Sequence, residues 1–195
     1  KVRDGLDMIP MWVADMNFPV FPGITDAIVE RTKHPTYGYF GTRDEYYDSI
    51  IRWQERMNGV TGLAKEHIGY ENGVLGGVAT ALHVFCSQGD SVLVHAPTYI
   101  GFTGVLRNNG YNIVHSYLKK DEEGIWRMDF EDMEEKIVEN KIHVAIFCSP
   151  HNPTGRVWEK WELEKVMELY AKHDVTVISD EIWSDLILYK NKHIP

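Results

Sequence analysis

Cys148-Ser149-Pro150-His151-Asn152-Pro153-Thr154-Gly155 follows directly on the apolar run Val144-Ala145-Ile146-Phe147, and this junction decides the fold. Two prolines fix φ at their own positions and restrict the residues before them, so Asn152 is pinned between them with its amide aimed by the backbone. The same composition could merely punctuate a strand-to-helix turn. A second site one βα unit later argues for more than punctuation: the run Val175-Thr176-Val177-Ile178-Ser179 ends abruptly in Asp180-Glu181. A carboxylate closing a buried strand must find a partner or face solvent, and in open parallel sheets ligands bind at the carboxyl ends of the strands. Asn152 and Asp180 are therefore expected side by side over one crevice. A carboxylate to hold a protonated ring nitrogen and an amide to reach a ring oxygen suit a flat heteroaromatic ligand. Because Asn152 must be aimed inward from a Pro-x-x-Pro loop, the Asn152-Pro153 peptide is expected to be cis.

Working outward, the chain alternates regularly from Glu71 onward. The pattern predicts a helix near Val74 to Ser87, a strand at Ser91 to His95, a helix after Tyr99 and a strand at Asn112 to Tyr117. Next come a helix from Phe130 to Asn140 capped by Asp129, a strand at His143 to Cys148, a helix from Glu159 to His173 and a strand at Val175 to Ser179. Strands alternating with helices imply βαβ units, hence an α/β fold with a mainly parallel sheet and helices on both faces. Upstream, Ile24 to Lys33 reads as a short helix and Arg43 to Asn58 as an amphipathic one stopped by Gly59. Its Tyr46, Ile50, Trp53 and Met57 are expected in the core. Pro10, Pro19 and Pro22 are too closely spaced for regular structure, so Ile9 to Phe21 should be an extended arm anchored by Trp12, Phe18 and Phe21.

The chain has 195 residues, 44% hydrophobic and 12% aromatic, which is enough for one large well-buried domain, and no repeat or low-complexity tract is present. A net charge of -9 and a pI near 5.4 oppose binding to nucleic acid or to an anionic membrane surface, because the electrostatic attraction would have the wrong sign. Small-molecule chemistry fits better. Cys86 and Cys148 both lie in apolar contexts and read as reduced thiols, not as a disulfide or a metal site. No apolar stretch approaches the ~20 residues that cross a bilayer, and the first residues form no signal-peptide pattern, so the expected location is the cytoplasm. The absence of an initiating Met and the ending at Ile194-Pro195 suggest a fragment of a longer protein.

Asn72-Gly73-Val74-Leu75-Gly76-Gly77 places bare amides at the first turn of a helix, where free N–H groups and the helix dipole favour a phosphate. Tyr99 follows the strand at Ser91 to His95 and so should stand on the same carboxyl edge, either capping the next helix or meeting a ligand.

Ser149-Pro150-His151-Asn152-Pro153-Thr154-Gly155 followed by Ser179-Asp180-Glu181-Ile182 resembles the pyridoxal-phosphate enzymes of fold type I, the class I/II aminotransferase superfamily. Met11-Trp12-Val13-Ala14-Asp15-Met16-Asn17-Phe18 and Tyr37-Gly38-Tyr39 resemble its carbon–sulfur lyase branch, the cystathionine β-lyases. The resemblance implies a PLP-transferase-like large domain, truncated, with residues 1–40 as an N-terminal arm and loop and 41–195 as the cofactor-binding domain. It implies pyridoxal 5'-phosphate as cofactor, with Val74 and Leu75 amides on the phosphate, Gly73 admitting its close approach, Tyr99 stacked on the ring, Asn152 on the ring oxygen and Asp180 on the ring nitrogen. Ala14 is carried over as a substrate contact. Tyr39 is carried over as a phosphate ligand reaching across a homodimer.

Trp183, carried over as a further cofactor-binding candidate whose indole N–H can donate with a different reach, stands where aminotransferases commonly carry a tyrosine, which leans towards the lyases and leaves the ring-oxygen donor open. The Schiff-base lysine of resembled enzymes would stand beyond Pro195, Lys190 and Lys192 read as solvated surface, and no catalytic residue is expected in this stretch. Three readings follow: a carbon–sulfur β-lyase on cystathionine-like amino acids, an aminotransferase, or an inactive cofactor-binding domain.

Overall fold

The computed structural model describes residues 5, 7–9 and 13–195, in two compact units spanning residues 1–42 and 43–195. The first unit holds one helix, α1 (Pro22–Thr32), with proline in its first turn, where a missing N–H costs nothing. Beyond it the Arg31 guanidinium donates to the carbonyls of His34 and Thr36 at 3.0 and 3.2 Å and lies 5.3 Å from the Tyr37 ring centroid. Phe18 and Phe21 are exposed, so the unit buries neither on itself. Trp12, expected as a third anchor, lies outside the described residues.

The second unit opens with α2 (Asp44–Asn58), which ends at Gly59 with φ 70°. Its apolar face is not core. Tyr46, Trp53 and Met57 are 39%, 43% and 45% exposed, Ile50 is half-buried, and no residue of α2 is buried. Amphipathic spacing correctly predicts the helix, but burial needs a facing surface. Here the Trp53 indole instead donates to Asp185 Oδ1 at 3.0 Å and the Tyr46 ring meets Tyr70 edge-on.

After a short 3₁₀ turn at Lys65–His67, the elements run α3 (Val74–Phe85), β1 (Ser91–Ala96), α4 (Ile100–Asn108), β2 (Asn112–Tyr117), β3 (Lys119–Lys120), β4 (Trp126–Arg127), α5 (Phe130–Glu139), β5 (Val144–Cys148), α6 (Lys160–Lys172) and β6 (Thr176–Asp180). Four strands form one sheet in the order β2-β1-β5-β6, every neighbour parallel. The antiparallel pair β3/β4 is separate.

Side chains alternate across this sheet, and the two faces carry two cores. Val92, Val94, Val144, Ile146 and Cys148 pack with Val78 and Leu82 of α3 and Phe102 and Leu106 of α4. Leu93, Ala145 and Phe147 pack with Met133 and Ile137 of α5 and Val166, Leu169 and Tyr170 of α6. A sheet covered on both faces explains why β5 reads as an unbroken apolar run. Burial of each large aliphatic chain contributes roughly 1.5–3 kcal/mol.

The strand order reverses at β1: the chain passes from β1 to β2 on one side, then crosses back to place β5 on the other side of β1. Such a reversal opens a crevice at the carboxyl ends of the strands, and β1, β5 and β6 all end there. The segments after β1 and β5 carry Tyr99 and Asn152, and β6 itself ends in Asp180.

Candidate functional site

The floor of the crevice is set by pairing. Cys148 and Asp180 are register partners, and Ser149 N donates to the Asp180 carbonyl at 3.0 Å. The loop after β5 therefore leaves its strand locked to the end of β6. That loop closes on itself: His151 N donates to Arg156 O and Gly155 N to His151 O, both at 2.7 Å. The His151 ring lies against Trp158, its Nδ1 is 2.8 Å from the Thr154 hydroxyl, and the Trp158 indole donates to Cys148 O at 2.9 Å. Asn152 thus sits at the tip of a clamped turn. The Asn152-Pro153 peptide is cis, as expected; Ala96-Pro97 and Ser149-Pro150 are cis as well.

Asp180 is 5% exposed. Its Oδ1 accepts from Ile182 N at 3.0 Å, and among the described residues no lysine, arginine or histidine forms an ion pair with it. Burial pushes its carboxyl above the ordinary carboxylate value, the Ile182 amide opposes that shift and the nearby Glu181 charge adds to it. A buried carboxylate with one hydrogen bond and no cation is poised for a cationic ligand atom. Glu181 itself is engaged elsewhere, with the Ser179 hydroxyl at 2.9 Å and buried His193 at 2.8 Å. Trp183 is half-buried in the turn that follows, and its indole makes no hydrogen bond among the described residues.

α3 precedes β1 and α4 follows it, so both helices begin at the carboxyl edge. α3 starts at Gly73, whose φ of 85° with ψ 159° is open to glycine and strained for other residues. A Cβ placed there meets nothing within 4 Å, so the approach to the first turn is open. No side chain caps that turn, and the first backbone donor to find a helical acceptor is Gly77 N, to Gly73 O at 3.1 Å. The amides of Val74 and Leu75 are free donors at a positive dipole end.

Tyr99 caps α4 and its ring meets Phe102 edge-on at 5.4 Å. Sequence reasoning missed what aims it. A Cβ on Gly101 would lie 2.3 Å from Tyr99 Cε1 and 2.9 Å from Leu75 Cδ1, so the phenol ring lies over a glycine with Leu75 beside it. A glycine two positions after a candidate stacking aromatic was the available signal. Tyr99, Leu75 and Ile178 border the same core. The open first turn of α3, the aromatic and the buried acid thus share one edge and one face of the sheet.

Cys148, beneath the loop, is a free thiol pushed up to about 11 by burial, with Asn152 N–H opposing and Asp180 adding to the shift. It is inert there. Lys190 and Lys192 are exposed. In the first unit, Tyr39 is fully exposed and Ala14 is exposed in the turn after Val13.

The sequence profile described as aminotransferase class I and II matches residues 7–193. The chain belongs to this family. Among relatives, cystathionine beta-lyase PatB of Bacillus subtilis (strain 168) is 40% identical over 190 residues, covering 97% of this chain and 48% of that protein. Among solved structures of similar fold, the PLP-bound C-S lyase from Staphylococcus hominis has a TM-score of 0.88 at 34% identity, covering 95% of this chain and 47% of that one. Cystalysin from Treponema denticola, which contains a pyridoxal 5'-phosphate cofactor, has a TM-score of 0.89 at 30% identity, covering 96% and 47%. The chain spans about half the length of the curated relatives it matches. A ligand with a phosphate at one end and a basic ring nitrogen at the other would match the uncapped amides of α3 and the cation-free Asp180 along this edge.

Proposed function

We propose that the protein containing this chain is a pyridoxal-phosphate-dependent carbon–sulfur β-lyase of cytoplasmic amino-acid metabolism, acting as a homodimer on cystathionine-like substrates. The observation that carries the cofactor assignment is Asp180, a buried carboxylate without a cation at the end of β6. A protonated pyridine nitrogen supplies the missing charge, and the free Val74 and Leu75 amides at the open Gly73 supply the phosphate end.

Pyridoxal phosphate, when bound, weakens the bonds at an amino acid's Cα by withdrawing electrons into its ring. This chain's residues make that withdrawal effective. Asp180 holds the ring-nitrogen proton, and its burial strengthens the attraction by excluding water. Tyr99, set by Gly101, holds the ring plane by offset stacking. Asn152, clamped by the His151 and Arg156 backbone pair, donates its amide to the ring oxygen. Trp183 stands in place of a tyrosine and offers an indole N–H of different reach, a substitution that leans towards the lyase branch. Tyr39 donates to the phosphate of the partner subunit, and Ala14 borders the substrate. We assign no cofactor-carrying lysine and no α-carboxylate-binding arginine among these residues; the chain spans about half the length of the curated relatives it matches.

The test is to incubate the full-length protein with pyridoxal phosphate and cystathionine and to analyse products. Pyruvate, ammonia and a thiol in equal amounts support the lyase. A keto acid that keeps its side chain, without thiol release, would identify an aminotransferase instead.

A further inference from the structure

The amino edge of the same sheet carries a second cluster of ligating side chains. Cys86 ends α3, Asp90 immediately precedes β1 and His143 immediately precedes β5. Because β1 and β5 are paired, with Val92 opposite Val144, the sheet brings together residues more than fifty positions apart. One ligand atom from each of the three lies within 4.8 Å of the others. His143 Nε2 is 3.5 Å from Asp90 Oδ2 and 3.1 Å from the Phe85 carbonyl.

We propose that Cys86, Asp90 and His143 form a binding site for one zinc-type divalent cation. The donor set is a thiol, an imidazole and a carboxylate, a combination that suits Zn²⁺ or Co²⁺ and not the all-oxygen preference of Mg²⁺ or Ca²⁺. Tetrahedral coordination at zinc distances places ligand atoms about 3.3–3.8 Å apart, so the cluster closes on an ion by moving roughly 1 Å.

The backbone that carries these ligands is already fixed. Asp90 Oδ2 accepts from Ser87 N at 2.7 Å, and Asp90 N donates to Ser87 O at 3.0 Å. Cys86 N donates to Leu82 O at 2.8 Å, and His143 O accepts from Thr176 N at 2.8 Å. A carboxylate held by a backbone amide is the outer support that ligating carboxylates commonly have. Cys86 and Asp90 are half-buried, while His143 is exposed and leaves an open side for entry of the ion and for a water as fourth ligand.

On binding, the Cys86 thiol gives its proton to solvent and the sulfur takes the metal. His143 Nε2 gives up its contact with Phe85 O and offers its lone pair, its proton residing on Nδ1. No electron transfer is involved. The bound ion would tie the end of α3 to the starts of β1 and β5, at the far side of the sheet from the cofactor edge. The two edges are separated by five to six residues of strand, about 17–20 Å. This departs from the sequence reading of Cys86 as a plain buried thiol, because the pairing of β1 with β5 was needed to bring His143 to it.

The experiment is a Co²⁺ titration of the full-length protein after removal of metals and chelator, read by long-wavelength ligand-field absorption outside the cofactor's range. One tightly bound Co²⁺ per chain with intense tetrahedral bands, displaced by Zn²⁺, is expected. Cys86→Ser should abolish those bands, and His143→Ala, at an exposed position, should weaken binding about tenfold or more. Absence of tetrahedral bands, or bands unchanged in both variants, would overturn the assignment. Binding is read without turnover, so either outcome leaves the lyase reading to its own test.

Discussion

Ser149 N donates to the carbonyl oxygen of Asp180 at 3.0 Å, one step beyond the last register pair of β5 and β6. This bond extends the parallel ladder by one rung past the point where β5 turns away. The loop bearing Asn152 and the strand end bearing the buried acid are therefore held as one piece, so two groups assigned to the same aromatic ring cannot drift independently.

Gly101→Ala should disturb the ligand without unfolding the chain. The new methyl would lie 2.3 Å from Tyr99 Cε1, so the phenol ring must swing away from its place beside Leu75. Loss of offset stacking costs on the order of 1 kcal/mol, or about fivefold in cofactor affinity. Cofactor titration followed by absorbance, with the far-UV circular dichroism of the full-length variant as control, measures it.

Gly73→Ala should act on both stability and the anion site. Its φ of 85° strains any side chain, which costs about 1 kcal/mol or more in urea unfolding. The first turn of α3 would shift with it, and inorganic phosphate should protect the variant against urea less than it protects the wild type.

Stability should fall on acidification below about pH 6.5. Burial lowers His151 from 6.5 to about 4 and, together with the His151 charge, lowers His95 to about 3. Between those values and 6.5 the unfolded chain binds a proton at each histidine that the folded chain does not. Folding free energy therefore drops by up to about 1.4 kcal/mol per pH unit for each group. Urea midpoints at pH 7, 6 and 5 test the slope, and His151→Gln should flatten it.

Glu162→Ala should be among the most destabilising single changes in α6. Glu162 is fully buried; its Oε2 pairs with Arg156 and accepts from Glu159 N at 2.9 Å, and its Oε1 lies 3.2 Å from Arg127. Removing the acid leaves two guanidinium groups facing a hole and uncaps the helix, at a cost of about 3 kcal/mol or more. Thermal unfolding reads it.

Local chemistry made the sheet legible in the sequence. Val144 to Cys148 is apolar throughout because both faces of β5 are covered, and Asp129 accepts from Asp132 N as a cap should. The edge carrying Gly73, Tyr99, Asn152 and Asp180 was legible for the same reason, since strand ends and helix starts are marked by turn residues. What escaped the sequence depends on partners distant along the chain. β3 and β4 are two residues each, too short for any period. Tyr46, Trp53 and Met57 have the spacing of a core face but stay 39–45% exposed among the described residues. Glu162 became a buried ion-pair centre only when α6 met Arg127 and Arg156.

The most direct test is Asp180→Asn in the full-length protein, which keeps shape and the Ile182 hydrogen bond but removes the charge assigned to the ring nitrogen. The account predicts a loss of about a hundredfold or more in kcat/KM for cystathionine. It also predicts that the cofactor-free variant resists urea at least as well as wild type, because the raised carboxyl of Asp180 costs stability at neutral pH. Unchanged kcat/KM, or lower stability without cofactor, would show instead that Asp180 is a structural cap at the end of β6.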